Sequence, residues 1–300
     1  METPVLLAPA GSLEAAEAAL EAGADALYVG LKGWSRGGAR GELTKLELKA
    51  CLEQARRLGK GVRLAANIIP KPEERAHLLE QLVELAAWGI QGVIVNDPGF
   101  LREVKRRLPD LPVTASIGCG ALNEGDVRFY EALGAASVVL PGTLDPSEIA
   151  AIEAKASIQV EVMLHMVQEF IQLGKCWMPS YLHFDPTEKP EVGTRLTGSM
   201  KRGGVGACFK ICQQPWVLSQ DGRQVDLRLF PSWQISRLAE LGDFLDAGVD
   251  IVKLQGRSLP PELLVPLVRR YRVGIEAWAS GRKPEAELAT LPSKWTVVGR

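Results

Sequence analysis

The stretch "AALEAGADALYVGL" (18–31) runs an amphipathic helix into a glycine, turns within two or three residues and enters a short apolar strand. The same design recurs in "ELAAWGIQGVIVND" (84–97), "FYEALGAASVVLPG" (129–142) and "DFLDAGVDIVKLQG" (243–256), with Gly23, Gly89, Gly134 and Gly248 at the turns. Glycine suits the left-handed position that closes a helix. The strands are unbroken apolar runs rather than alternating ones, as expected when both faces of a parallel sheet are covered. Working outward predicts eight strands, at 5–9, 26–31, 62–68, 92–96, 112–117, 137–141, 158–164 and 250–255. Helices are expected near 12–22, 44–58, 72–88, 97–107, 123–133, 145–154, 233–247 and 260–279. Eight strand–helix alternations point to an α/β fold, a (β/α)8 TIM-type barrel. A doubly wound sheet, the alternative, more often stops at about five or six strands.

Barrels of this kind commonly run to about 250 residues as one unit. Residues 1–280 of the 300 are therefore expected to form a single barrel domain, with a surface tail at 281–300 rich in Pro, Glu and Lys. The seventh repeat departs from the others. About 68 residues separate the strand ending near Leu164 from the helix expected near Trp233, far more than an ordinary connection. This insertion, 165–232, carries Cys176, Cys208 and Cys212. Inside it, "PWVLSQDGRQVDLRLF" (215–230) sets Asp221-Gly222 between apolar stretches, a hairpin signal. Loops that follow strands form the active face of this fold, so a long insertion there is where chemistry is expected.

Composition excludes several classes. The formal net charge is −1, so bulk electrostatics give no attraction to nucleic acid or anionic membrane. The basic stretch "KPEVGTRLTGSMKRGG" (189–204) has Lys189, Arg195, Lys201 and Arg202 without the interleaved aromatics of a stacking platform. It reads as a solvated loop or a lid over the pocket. No nucleic-acid partner is expected on these grounds. No apolar run approaches the roughly 18 residues of a membrane span. The opening "METPVLLAPAGS" lacks a basic region and is broken by Pro4, Pro9 and Gly11, unlike a signal peptide. Five cysteines, an odd number, do not form a disulfide framework, and a reducing cytoplasm fits them better.

Cys208 and Cys212, in "GACFKIC" (206–212), lie four positions apart. On a helix that spacing would bury both thiols on one face. Their place in a polar, glycine-rich insertion favours ligation instead. Thiolates serve both zinc and iron–sulfur clusters. No C-x2-C pair of the kind common in zinc sites occurs, and residue types leave the metal open.

The stretch "EVMLHMVQEFIQLGKCWMPSYL" (161–182), then "GACFKIC", then "DAGVDIVKLQGR" (246–257), resembles peptidase family U32, the collagenase-like peptidases. The opening "LLAPAGSLEAAEAALEAGADALYVGL" (6–31) is similar to that family's first βαβ unit. The resemblance spans nearly the whole chain. It implies an oxygen-independent hydroxylase with a 4Fe-4S cluster, with prephenate as co-substrate and oxygen source. Zinc is the alternative metal. Chain length resembles the short quinone-pathway members, which implies a small aromatic or isoprenoid substrate and a homologous partner subunit or a homodimer. Two other functions stay open: a hydrolase, as the family name says, and a non-catalytic cluster-bearing subunit. Neither H-E-x-x-H nor G-x-S-x-G is present for conventional proteolysis.

Carried over by this resemblance, Cys176, Cys208 and Cys212 match three cluster cysteines. The fourth is absent from both expected places, which hold Glu169 and Trp34. Glu169 could ligate iron through a carboxylate oxygen, and Cys119, just after the fifth strand, is chemically the softer ligand. His165 and His183 could offer imidazoles, or the fourth iron could stay open to substrate or water. Cys51, in mid-helix, is expected to pack.

Strand ends supply the remaining candidates. Glu161, His165 and Asn67 are the catalytic ones. Lys253, Arg257 and Ser12 are expected to contact an anionic co-substrate, a guanidinium gripping a carboxylate bidentately and a helix start offering free N–H groups. Ser12 also suits an N-cap. Where the family pattern has a glutamate before G-R this chain has Gln255, so an acid role there is lost.

Overall fold

The computed structural model describes residues 3–35, 41–70, 72–167, 218–220, 223–225 and 234–284. In chain order the elements are β1 (Val5–Ala10), α1 (Leu13–Glu21), β2 (Ala26–Gly30), α2 (Lys45–Arg57), β3 (Gly61–Ala66), α3 (Pro72–Ala87), β4 (Gly92–Val95) and α4 (Pro98–Arg107). There follow β5 (Val113–Ala115), α5 (Glu124–Ala132), β6 (Ser137–Pro141), α6 (Pro146–Glu153), β7 (Gln159–Val167), β8 (Leu218–Gln220), β9 (Arg223–Val225), β10 (Gln234–Ser236), α7 (Leu241–Asp246), β11 (Ile251–Leu254) and α8 (Pro261–Ala279).

Polar side chains start the helices just past the strand ends. Ser12 Oγ accepts from the Ala15 N–H at 3.1 Å, Asp97 Oδ1 from the Phe100 N–H at 2.6 Å and Asn123 Oδ1 from the Asp126 N–H at 3.0 Å. Each satisfies a donor that a helix start would otherwise leave orphaned.

β1 to β7 and β11 pair in parallel, and pairing of β7 with both β6 and β11 closes them into a barrel. Following the registered pairs once round the sheet returns to β7 displaced by eight residues. That is the stagger of an eight-stranded TIM barrel. The large core, including Leu6, Leu27, Val93, Val138, Val162 and Leu254, lies between strands and helices. Leu7, Ala26, Tyr28, Ala65, Ile94 and Ile251 cluster inside the barrel.

Two features differ from expectation. The helix predicted over 233–247 is only α7; Gln234–Ser236 instead forms β10, antiparallel to Val167, Met166 and His165 of β7, and a 3-10 turn at Leu238–Glu240 follows. Pairing with an extended β7 outweighs the local helical period. In addition, β7 bulges against β11: Lys253 pairs with Met163, but Leu254 pairs with His165. The predicted hairpin is present, Leu218, Ser219 and Gln220 facing Val225, Gln224 and Arg223. No helix among the described residues is long and apolar enough to cross a membrane.

Candidate active site

The barrel's stagger stacks inward side chains in layers drawn from alternate strands. Leu7, Arg63, Thr114 and Glu161 form one layer, and Lys253, Tyr28, Ile94 and Val139 the next toward the C-terminal end. Small side chains lie above these, Pro9 and Ala65 beside Met163, then Gly30 and Pro141; Asn96, Ser116 and Gln255 directly follow β4, β5 and β11 at the same end. The barrel interior above this charged floor, called the chamber below, lies at the end where active sites of this fold occur.

Glu161 is the centre of that floor. It is 0% exposed, accepts from Lys253 Nζ at 2.5 Å through Oε1 and from Arg63 at 3.1 Å through Oε2. Lys253, 3% exposed, also lies 4.6 Å from the centre of the Tyr28 ring, a favourable placement for a cation. Tyr28 donates its hydroxyl to the Leu254 carbonyl at 2.9 Å, and burial raises its pKa. Burial lowers the Lys253 pKa, and the Glu161 carboxylate opposes that shift. Ion pairs this deep carry a large desolvation cost and are weak sources of stability, so their presence in a barrel core makes this a candidate functional site.

Arg257 adds a third cation at the mouth. Its guanidinium stands 5.8 Å from the Tyr28 ring centre and donates to Ser35 Oγ at 2.5 Å. Ser35 in turn donates to the buried Glu42 at 2.7 Å. A Cβ on Gly30 would stand 2.4 Å from the guanidinium, so glycine there is what admits Arg257 to the chamber. Among the described residues, Lys253, Arg63 and Arg257 lie around the Glu161 carboxylate, with Glu42 reached only through Ser35, an arrangement suited to an anion.

The structure therefore brings Glu161, Lys253 and Arg257 together. Asn67 follows β3 at the same end, half-buried. Ser12 is exposed and its hydroxyl caps α1. His165 turns elsewhere. At the bulge it pairs with Leu254, a residue of the outer core, so its ring points toward the helices rather than into the chamber. It is 7% exposed, its Nδ1 has no hydrogen-bond partner among the described residues, and burial pushes its pKa down to about 4. Cys119 lies in the outer core and donates its thiol to the Val95 carbonyl at 3.4 Å. Cys51 is buried in the same core. Cys176, Cys208, Cys212 and Glu169 lie outside the described residues, as does His183. Among the described residues no group of three His, Cys, Asp or Glu side chains could hold a metal.

Sequence reasoning missed Arg63 and Tyr28. The signal for Arg63 was available, since it is the one charged residue of β3, as Lys253 is of β11. A lone charge in a strand covered on both faces must find a partner inside the barrel.

Comparison with known proteins completes the picture. The model of peptidase family U32 matches residues 11–296. The tRNA hydroxylation protein P of Escherichia coli (strain K12) is 28% identical over 229 residues, 76% of this chain and 47% of that protein. The chain thus spans about half the length of that relative. The tRNA hydroxylation protein P2 of Bacillus subtilis (strain 168) is 25% identical over 284 residues, 94% of this chain and 89% of that one. Among solved structures, DHDPS from Cyanidioschyzon merolae superposes with a TM-score of 0.52 at 12% identity, covering 96% of this chain and 79% of that one, a likeness of fold alone.

Two relatives named for tRNA hydroxylation overturn the expectation that nucleic acid is no partner. Net charge sums the whole surface and is silent about a local groove, which is why −1 misled. Length does not separate the two substrate classes, because a Bacillus subtilis protein named for tRNA hydroxylation is matched along 89% of its own chain.

Proposed function

We propose, from the premise that this chain belongs to peptidase family U32, that it is an oxygen-independent hydroxylase-like enzyme acting on an RNA base. The carrying observation is the alignment with a tRNA hydroxylation protein across 94% of this chain and 89% of the other. This replaces the small aromatic or isoprenoid substrate expected from length. The reaction converts C–H to C–OH, a two-electron oxidation of the base, and it balances when the co-substrate that donates the oxygen accepts both electrons as its own C–OH becomes C–H.

In this reading the barrel chamber holds the anionic co-substrate, prephenate by the family resemblance. Lys253 and Arg63 offer hydrogen-bond donors from the floor and Arg257 from the mouth, while Glu161 orients the two floor cations and offsets part of their charge. The small side chains of Gly30, Ala65 and Ser116 leave room above them. The insertion leaves the barrel at the C-terminal end of β7 and returns at β10, which pairs with that same end. Cys176, Cys208 and Cys212, which it carries, are proposed to hold a 4Fe-4S cluster. When bound, such a cluster supplies one-electron redox chemistry.

The test uses RNA from cells lacking this protein, digested to nucleosides and analysed by mass spectrometry. One nucleoside bearing an extra oxygen is expected to vanish, to return with the wild-type gene and to stay absent with Cys208→Ser. An unchanged nucleoside profile sinks the proposal.

A further inference from the structure

We infer that the groove between α3 and α4 is a docking site for the phosphodiester backbone of the RNA substrate, held by the arginines of α4. This rests on the RNA-directed reading above and adds the surface on which the polymer lies while a base is presented to the barrel.

One short segment sets the charge of this surface. Residues 102–107, "REVKRR", carry four cations and one carboxylate. Phe100, Leu101 and Val104 bury one side of α4, so helical geometry sends the charged residues to its other sides. Lys105 is occupied, donating to the Pro109 and Leu111 carbonyls at 2.6 and 3.2 Å. Toward α3, Arg75 Nε donates to Glu103 at 3.2 Å and so matches the one carboxylate of the segment. Arg107 Nη2 stands 3.7 Å from Glu80, a long contact between two exposed side chains that is worth little in water. Arg102 and Arg106 are exposed and make no hydrogen bond or ion pair among the described residues. They lie one helical turn apart, with Cβ atoms about 5–6 Å from each other.

The surface is concave where these charges gather. Arg75, Arg106 and Arg107 line a groove of about 560 Å³, together with Ala76 and Leu79 of α3. Open space therefore lies directly against the unpaired Arg106. A guanidinium presents paired N–H donors that match two phosphate oxygens, and the apolar side chains of Ala76 and Leu79 suit sugar carbons. Exposed cations spaced along a helix suit a polymer of repeated charges, whereas small anions are usually held by convergent donors in a more enclosed site. The groove also includes Pro72, the first residue of α3, five positions after Asn67. It thus begins at the barrel end where β3 delivers Asn67. Here is a local positive surface that a net charge of −1 conceals.

The probe is bulk tRNA from cells lacking this protein, with binding to the full-length protein measured by fluorescence anisotropy at several salt concentrations. Wild type is expected to bind, with an affinity that falls as salt rises. Arg102→Ala/Arg106→Ala is expected to bind about tenfold or more weakly at low salt. Its log–log salt slope is expected to be shallower by about 1.4 to 1.8, since each phosphate contact adds about 0.7–0.9. Its melting temperature is expected to match wild type, because both side chains are exposed. The control, Arg269→Ala/Lys283→Ala, removes two exposed cations from α8 and just beyond it, across the barrel from α4. It is expected to bind like wild type. Equal losses in the two double variants overturn the inference, because they reveal net charge rather than a groove. Unchanged binding in the groove variant, or no tRNA binding by wild type, overturns it as well. So does a groove variant that keeps tRNA but loses a poly-L-glutamate probe, which makes an acidic peptide the occupant. The hydroxylase reading is judged separately, on the nucleoside profile of cells lacking the gene. A nucleoside lost from that profile, with tRNA binding unchanged in the groove variant, sinks the docking site alone.

Discussion

Glu161 faces two cations with one carboxylate at zero exposure, and the consequences of disturbing it are unequal. Replacing the carboxylate with an amide leaves the buried Lys253 and the half-buried Arg63 side by side without that counter-charge. Breaking a buried pair in this way typically costs about 3–5 kcal/mol, whereas replacing the whole pair by apolar groups of similar volume is often neutral. Glu161→Gln is therefore expected to lower unfolding free energy in urea by about 3 kcal/mol, and adding Lys253→Met is expected to recover part of that loss. Additive losses in the double variant would show that the two side chains do not act as a pair. Glu161 and Lys253 could be named from the sequence because each interrupts an apolar strand. That Arg63, 98 positions upstream of Glu161, bonds to the same carboxylate could not, since only barrel closure sets β3 opposite β7.

At the scale of elements, β7 shows how one extra residue redirects a side chain. Strict alternation would place His165 inside the barrel with Glu161 and Met163. The bulge sends it outward and turns Met166 inward, beside Met163 and Val139. Its pKa of about 4 lies below the ordinary 6.5, so between those values the unfolded chain binds the proton more readily. Stability from this group is full above pH 6.5 and falls as pH drops toward 4. Glu153, at the end of α6, behaves oppositely. Burial, with the nearby Asp250 carboxylate second, raises its pKa from 4.5 to about 7. Its contribution is full below pH 4.5 and is lost as pH rises through 7. Melting curves from pH 4 to 8 check both signs. His165→Met is expected to reduce the acid-side loss, and Glu153→Gln to raise the melting temperature at pH 8 while leaving it unchanged at pH 4.5. A Glu153→Gln effect at pH 4.5 as large as at pH 8 would refute the titration as its cause.

For the whole molecule, the cluster proposal makes a prediction that separates the cysteines. Protein purified without oxygen is expected to contain iron and sulfide, and Cys176→Ser to lose them. Cys119→Ser is expected to keep the wild-type iron content, because that thiol sits in the outer core and donates to the Val95 carbonyl. Loss of iron in the Cys119 variant would make it the fourth ligand after all. By itself the sequence determined the barrel. The helix, turn glycine and apolar strand form a local signal confined to about fourteen residues, and four copies of it within eight strand–helix alternations leave little choice of topology. It also determined that β3 and β11 each carry one charge in need of a partner. Which face of each strand looks inward was decided only by tertiary structure. Strands covered on both sides show no alternation to read, so the inside is defined by the closing of β7 onto β6 and β11. That closure set Arg63, Glu161 and Lys253 around one point and turned His165 away.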